Sequence, residues 1–437
     1  MPASHAARDG YAMSLRLGCI ADDTTGATDI ASSLVGAGLR VQLVHGLTPG
    51  PDADTADAIV VALKSRTAPV MQAVEESLAA ARWLRARGAR QLVFKICSTF
   101  DSTPHGNIGP VADALRELTG ASRVVVAPAL PVNGRTVYQG HLFVGTDLLS
   151  DSPMRLHPLT PMTDANLVRL LQAQVGPDLA VGRLPRAVTH GGPEAVHGHL
   201  AAQAAGYVIA DAIDDFDLAA LARAVHGAPL LVASSGLPAY LPQAWGWTAR
   251  PDAAVLPRAG GRAAIVAGSC SAATQAQLAH FLQAGGAGLA IDPLRIGSVA
   301  QTVADVIAWF NAQPVERAAL VYATASSEAV QRVQQALGVE RAGLVVEDTM
   351  SSIARGLVAG GVRRLVVAGG ETSGAVLRAL GVASLRIGGP IDPGVPWCHG
   401  VAEGCGGVGV HLALKSGNFG GTDFFDRAFA CLDRDCA

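Results

Sequence analysis

The sequence predicts an α/β protein of two domains, each a mostly parallel sheet flanked by helices, with a cleft between them. Short apolar runs alternate with amphipathic stretches along nearly the whole chain, the pattern of parallel strands covered on both faces. At 437 residues the chain is also too long for a single ordinary core. The alternation breaks once, at WGWTARPDAAVLPRAGG (245–261), where prolines and glycines replace periodicity and read as a linker. Residues 1–13, polar and alanine-rich, read as a flexible tail ahead of the first strand pattern. The expected domains are therefore 14–244 and 262–437.

The first unit runs LRLGCIADD as a strand, TTG as a turn, ATDIASSLVGAG as a helix and VQLVHG as the next strand. ADAIVVALKS, RQLVFKIC and SRVVVAPAL supply further strands, and 166–220 reads as helices and strands without evident chemistry. After the linker, GRAAIVAGS, ERAALVYAT and RRLVVAGG are each followed by a helical stretch. No fixed-period repeat is visible.

Half the residues are hydrophobic, 16% are charged and 50 are glycine, as in a compact enzyme rich in tight turns. A formal net charge of −3 supplies no global field toward nucleic acid or an anionic membrane. Seven scattered cysteines, none in a CxxC pair, argue against a disulfide framework and for the reducing cytoplasm. Neither a signal peptide nor an apolar run long enough for a bilayer is apparent.

Of 33 lysines and arginines, lysine occurs only at 64, 95 and 415. Arginine has replaced it wherever a solvated charge suffices, so the compact, mobile ammonium is retained at selected places. All three lie beside polar sequence at predicted strand ends, where open α/β sheets bind ligands.

In IADDTTGATDIA, Asp22 and Asp23 end a strand and lead into a helix that Thr24 or Thr25 can cap. Paired carboxylates there can hold hydroxyls or accept a proton from one, and equally suit a helix cap with a solvated neighbour. Arg66, in ALKSRT, offers a fork for a carboxylate. The run from Lys95 through Ser98, Thr99, Asp101, Ser102, Thr103, His105 and Asn107 is a candidate substrate loop before a helix near Pro110. A further loop, PVNGRTVYQGHLF, carries Arg135 and could close over the same place. Cations for a carboxylate and polar groups for hydroxyls together suit a polyhydroxy acid.

The C-terminal half twice shows strand, glycine-rich turn and helix. One turn holds Ser269 and Ser271; the other is Gly369, Gly370, Glu371, Thr372, Ser373 and Gly374, with Lys415 and Gly417 downstream in ALKSGNFGG. Glycines admit a phosphate close to the backbone, and helix N-termini offer it N–H donors. Neither turn is G-x-x-x-x-G-K-[ST] or G-x-G-x-x-G, so a Walker-type NTPase and a dinucleotide enzyme are disfavoured.

IADDTTGATDIA, ALKSRT, KICSTFDSTPHGNIGPV, PVNGRTVYQGHLFVG, HPLTPMTDANLV, AGSCS, VAGGETSGAV, IDPGVPW and ALKSGNFG resemble the four-carbon acid sugar kinase family from about residue 17 to 426. Within it, the CSTFDST and HPLTPMTDANLV wording is most similar to the 3-oxo-tetronate 4-kinases, with D-threonate and D-erythronate kinases as the alternative. Thr24 and His105 depart from the family pattern. The resemblance implies a sugar-acid-binding N-terminal domain and an ATP-binding C-terminal domain, with ATP and Mg²⁺ as cofactors. It places Ser269, the 369–374 turn and Gly417 on ATP. For such a reaction Asp22, Asp23 and Lys95 are the candidate catalytic residues, and Arg66, Ser98, Asp101, Ser102, Asn107 and Arg135 the candidate substrate contacts. Expected partners are small molecules, with no nucleic acid and no membrane, and the sequence leaves room for a homodimer. A sugar-acid sensor without catalysis is the rival from another class.

Overall fold

The computed structural model describes residues 15–48, 55–157, 160–203 and 206–435, and the expected tail lies outside them. The parallel strands of both halves lie in one sheet of fifteen strands rather than in two separate sheets. From edge to edge they are Ala287–Ala290, Ala319–Tyr322, Arg262–Ala267, Val362–Ala368, Val408–Lys415, Val395–Ala402, Ser384–Asp392, Val41–His45, Ala58–Ala62, Leu17–Ala21, Gln91–Lys95, Leu230–Ala233, Arg123–Ala127, Gly206–Ala210 and Ala180–Leu184. The five strands at the C-terminal end run parallel to one another, as do the eight at the N-terminal end.

Three antiparallel pairings join the two sets, and Ser384–Asp392 lies directly against Val41–His45 with Leu385 opposite Leu43. This splice is hard to read in SLRIGGPIDPGVPWCHG because glycine and proline normally interrupt strands. The register shifts on either side of Pro390, which lets the strand carry residues that would otherwise end it.

Burial explains the elements that position the loops. Leu17–Ala21 and Ala58–Ala62 are buried throughout, as central parallel strands should be. The helix Thr24–Gly36 buries Ala27, Ile30, Ala31, Leu34 and Val35, a repeat of three and four that makes one apolar face. It packs on Val41–His45 and Ala58–Ala62 and also on Ser384–Asp392 and Val395–Ala402, thus touching both halves.

The stretch expected as a linker is pinned. Arg250 grips Asp57 through two hydrogen bonds of 2.9 and 3.0 Å, Trp247 Nε1 donates to the Gly38 carbonyl, and Leu256 is buried. PVNGRTVYQGHLF is likewise no open loop. It forms Arg135–Tyr138 and His141–Val144 of a three-stranded antiparallel sheet with Asp147–Leu148. Its turn puts Gln139 and Gly140 at φ of 52° and 71°, as a tight hairpin requires, and Asp211 accepts both turn N–H groups.

Candidate active site

The strand Leu17–Ala21 delivers Asp22 and Asp23 to its carboxyl end, and Asp23, not Thr24 or Thr25, caps the following helix. Its Oδ1 accepts from Gly26 N at 2.9 Å and its Oδ2 from the Thr25 hydroxyl at 2.7 Å. A carboxylate reaches the third helical N–H from this position, so the cap falls to the second aspartate. Arg66 arrives from the neighbouring strand end and gives Asp22 a bidentate pair at 2.9 and 2.8 Å. Its Nη2 also reaches Asp23 Oδ1 at 2.8 Å, and its Nη1 lies 3.7 Å from Asp101.

The two aspartates experience opposite pulls. Burial outweighs Arg66 at Asp22 and raises its carboxyl above the ordinary range. At Asp23 burial also pushes up, but Arg66, Lys95, Thr25 and the Gly26 N–H together prevail and hold it low. Asp23 is also the more accessible, with its side chain 26% exposed against 5% for Asp22.

Lys95 is buried, donates to the Ile96 carbonyl and stands 3.6 Å from Asp29, which accepts from Ser235. Asp101 accepts from Thr99 at 2.6 Å. Asn107 turns its amide on the carbonyls of Ser65, Arg66 and Ala68, holding the segment that carries Arg66. The helix there begins at Ile108, close to the expected Pro110. Asp22, Ser65, Arg66, Asp101, Ser102 and Asn107 line one cavity of only about 10 Å³. A four-carbon acid cannot enter it, and Asp23 is the most accessible carboxylate of the cluster. Ser98 has partly exposed surface beside it in sequence.

Arg135 does not join the cluster. Its Nη1 donates to the Asn133 carbonyl, and no hydrogen bond or ion pair links it to Asp22, Asp23 or Asp101 among the described residues. The hairpin holding it is tied to Ala212 instead. Gln174 was invisible in the sequence. Its amide donates to Ser102 Oγ and the Thr103 carbonyl and accepts from Gly109 N, bracing the loop from a helical region more than sixty residues away.

In the C-terminal half, Ser271 caps the helix Ala272–Gln283 while its hydroxyl donates to the Gly417 carbonyl at 2.6 Å. Thr274 Oγ1 donates to the same carbonyl, and Ser269 Oγ donates to Ser271 Oγ. Lys415, fully buried, donates to Thr274, to the Ser416 carbonyl and to Gly417 at 2.9 Å. Burial drags its ammonium from 10.5 to about 8.

The second turn is tighter than its sequence suggests. The helix Gly370–Leu380 starts immediately after Gly369, so residues 370–374 form its first turn rather than a loop ahead of it. Gly369 makes this possible with φ 130°, a conformation glycine tolerates, and its N–H donates to the Lys415 carbonyl at 2.8 Å. A Cβ at Gly417 would come within 2.5 Å of Ser269 Oγ, so the serine turn and the Lys415 loop are in close contact. Ser373 Oγ is buried without a protein partner.

Beside these turns opens a cavity of about 980 Å³ lined by Gly268, Cys270, Tyr322, Val346, Glu371 and Thr372 among others. Its size suits a nucleotide-sized ligand. Apart from Gly268, Cys270, Glu371 and Thr372, the lining comes from separated, mostly apolar stretches between 290 and 347 that carry no local motif. A smaller cavity of about 400 Å³ is lined by Thr24, His45 and Lys64 from one half and Gly374, Arg378 and Gly381 from the other. The two helix starts meet there: a Cβ on Gly370 would lie 3.8 Å from Thr25 Cγ2. No group of three or more His, Cys, Asp or Glu side chains is placed to hold a metal among the described residues. No helix among them is long and apolar enough to cross a membrane.

The strand end at Asp22 and Asp23 and the glycine turn at Gly369–Gly370 belong to the two halves of one α/β protein and lead into helix starts that approach each other at Thr25 and Gly370. The model of a sugar-binding N-terminal domain matches residues 17–241, and that of a nucleotide-binding C-terminal domain matches 264–425. The 3-oxo-tetronate kinase of Burkholderia multivorans is 50% identical over 424 residues, covering 95% of this chain and 97% of that one. That of Cupriavidus necator is 50% identical over 429 residues with the same coverage. A Salmonella typhimurium LT2 crystal structure, described as a candidate tRNA synthase, superposes with a TM-score of 0.87 at 42% identity, covering 95% of this chain and 98% of that one. A Haemophilus influenzae protein gives 0.79 at 40% identity, covering 95% of this chain and all of the other. The chain belongs to the four-carbon acid sugar kinase family.

Proposed function

We propose that this protein is an ATP-dependent kinase that phosphorylates the 4-hydroxyl of a 3-oxo-tetronate (3-dehydro-tetronate). The relatives at 50% identity over 95% of the chain support that substrate. The observation that carries phosphoryl transfer is the approach of the two helix starts at Thr25 and Gly370. The start at Gly370 has no side-chain cap and offers its N–H groups to an anion, whereas the start at Thr24 carries the Asp23 carboxylate as its cap; together they flank the gap across which a phosphoryl group would pass.

The N-terminal half, 14–244, holds the acid, and the C-terminal half, 262–437, holds ATP. Lys95 and Arg66 supply positive charge behind the acid, and Asp101, Ser102 and Asn107 keep Arg66 and its loop in place. Ser98 faces the hydroxyls. Asp23, ionised and the more accessible of the pair, accepts the hydroxyl proton, while Asp22 fixes Arg66. The hydroxyl oxygen bonds to the γ-phosphorus as the bond to the β–γ bridging oxygen breaks, and ADP leaves with that electron pair. Ser269, Ser271, the N–H groups of 370–374, Lys415 and Gly417 cradle the phosphates. Mg²⁺ bound with the nucleotide would neutralise phosphate charge, and one or two carboxylates of the protein would help to hold it. Glu371, exposed at the start of its helix, lines the large cavity together with Asp292 and Glu347, and these are the carboxylates that would be available to the metal there.

We place the protein in the cytoplasm, consistent with the free thiols of Cys19, Cys97, Cys270, Cys398 and Cys405. A net charge of −3 supplies no global attraction toward transfer RNA. The test is ADP release across a panel of four-carbon acids: 3-oxo-tetronates, D-threonate and D-erythronate. Turnover confined to the 3-oxo acids supports the reading. Turnover only on the threonate or erythronate transfers the assignment to the sister activity, and tight acid binding without ADP release leaves a sensor.

A further inference from the structure

Lys64 is the one lysine of the three that this mechanism leaves idle, and the exposed one. Its side chain is 61% exposed, whereas Lys95 and Lys415 are buried. Everywhere else on the surface a solvated cation is arginine, so an ammonium kept in water at the end of Ala58–Ala62 is unlike its surroundings.

Its Nζ lies 3.1 Å from Glu371 Oε2, across the gap between the halves. Glu371, itself 69% exposed, is the second residue of the helix that begins at the Gly369–Gly370 turn. An ion pair this accessible adds little to stability, because water and salt screen it and both side chains lose rotamer freedom. The pair is therefore readily exchanged. It also stands at the meeting of two spaces, since Lys64 and Thr24 line the cavity between the halves while Glu371 and Thr372 line the nucleotide-sized one.

We propose that Lys64 is a catalytic residue of the transfer step, delivered from the acid-binding half onto the phosphoryl group in flight. With the γ-phosphate absent its ammonium rests on Glu371; with ATP bound it moves to the equatorial oxygens of that phosphate, and Glu371 is released. Lys64 keeps its proton throughout. It neutralises charge that spreads over the phosphoryl oxygens as the bond to ADP breaks and the bond to the hydroxyl oxygen forms. Because Lys64 and the acid share one half of the molecule, the charge reaches the phosphate only when the halves are correctly apposed. That coupling disfavours transfer to water in an open cleft. The assignment rests on the kinase reading above.

The experiment uses the full chain with Lys64→Met, Lys64→Arg and Lys64→Ala. Expected for Lys64→Met is a kcat lowered at least about 100-fold, with ADP affinity, acid KM and melting temperature close to the parent values. Lys64→Arg should recover only part of this, because a planar fork cannot follow the moving group as a point charge does. Adding ethylammonium to Lys64→Ala should raise kcat saturably, a response that a merely structural lysine would not give. A kcat within about threefold of the parent, or a loss of ADP affinity matching the loss of kcat, overturns the role of Lys64 alone. A parent protein that consumes no ATP with any four-carbon acid overturns the kinase reading and this assignment with it.

Discussion

Arg66 Nη2 stands 2.8 Å from an oxygen of Asp22 and 2.8 Å from an oxygen of Asp23. One guanidinium therefore serves a buried carboxylate and an accessible one at once. Asp22 spends both oxygens on Arg66, whereas Asp23 spends its own on Arg66, the helix cap and Thr25.

Asp23→Asn separates chemistry from folding, because asparagine caps helices as well as aspartate does. Turnover should fall at least about 100-fold while ADP affinity and melting temperature hold. Near-parent turnover in a steady-state ADP-release assay would remove Asp23 as proton acceptor.

Asn107→Leu should loosen Arg66 without touching the nucleotide site. Its amide supports three carbonyls of 65–68, so an expected loss of about 1–3 kcal/mol in chemical denaturation should accompany a raised KM for the acid. An unchanged acid KM would mean that Arg66 holds its place without Asn107.

Gly369 and Gly370 should respond in opposite ways. At Gly370 the nearest atom to an added Cβ is Thr25 Cγ2 at 3.8 Å, so Gly370→Val should fold normally yet abolish ATP binding by filling the gap. At Gly369 the φ of 130° and a contact of 2.9 Å with Thr372 make any side chain strained. Gly369→Val should therefore lower the melting temperature as well. Unaltered ATP affinity in Gly370→Val, measured calorimetrically, would take this helix start out of the phosphate site.

Nucleotide affinity should depend on pH through Lys415. Its folded pKa is lowered to about 8 from 10.5, so between those values the unfolded chain binds more protons. Stability from this group therefore improves as pH rises through about 8, because the cost of burying a charge disappears. Phosphate reverses the pull and favours the charged form. ADP binding near pH 8.5 should take up a proton, seen as a buffer-dependent heat, and affinity should fall toward about pH 9.5. Lys415→Met should bind more weakly and without proton uptake; a parent affinity flat with pH would contradict the assignment.

Much of this was legible in the residues. The strand ends at Asp22, Lys64 and Lys95 and the glycine turn at 369–370 were visible because apolar periodicity stops abruptly at polar or glycine residues there. What escaped depends on contacts between distant segments. Gln174 carries no local signal for its bond to Ser102, and the lining of the large cavity comes from scattered apolar positions. By sequence Arg135 is a candidate substrate contact in an open loop, but the hairpin it belongs to places its guanidinium on the Asn133 carbonyl. The cap went to Asp23 rather than a threonine because both residue types suit the role and only the backbone decides.

The pairing of Leu385 with Leu43 has a consequence for how such a chain can be divided. A protein whose halves meet only through a tether can be split into separately expressed pieces. Here a cut anywhere between them leaves Val41–His45 and Ser384–Asp392 each with a bare row of amides and carbonyls, an open template for self-association. The catalytic motion is constrained by the same seam. The halves share one hydrogen-bonded fabric, so the gap must narrow by flexing and twisting of that fabric rather than by swinging on a free joint.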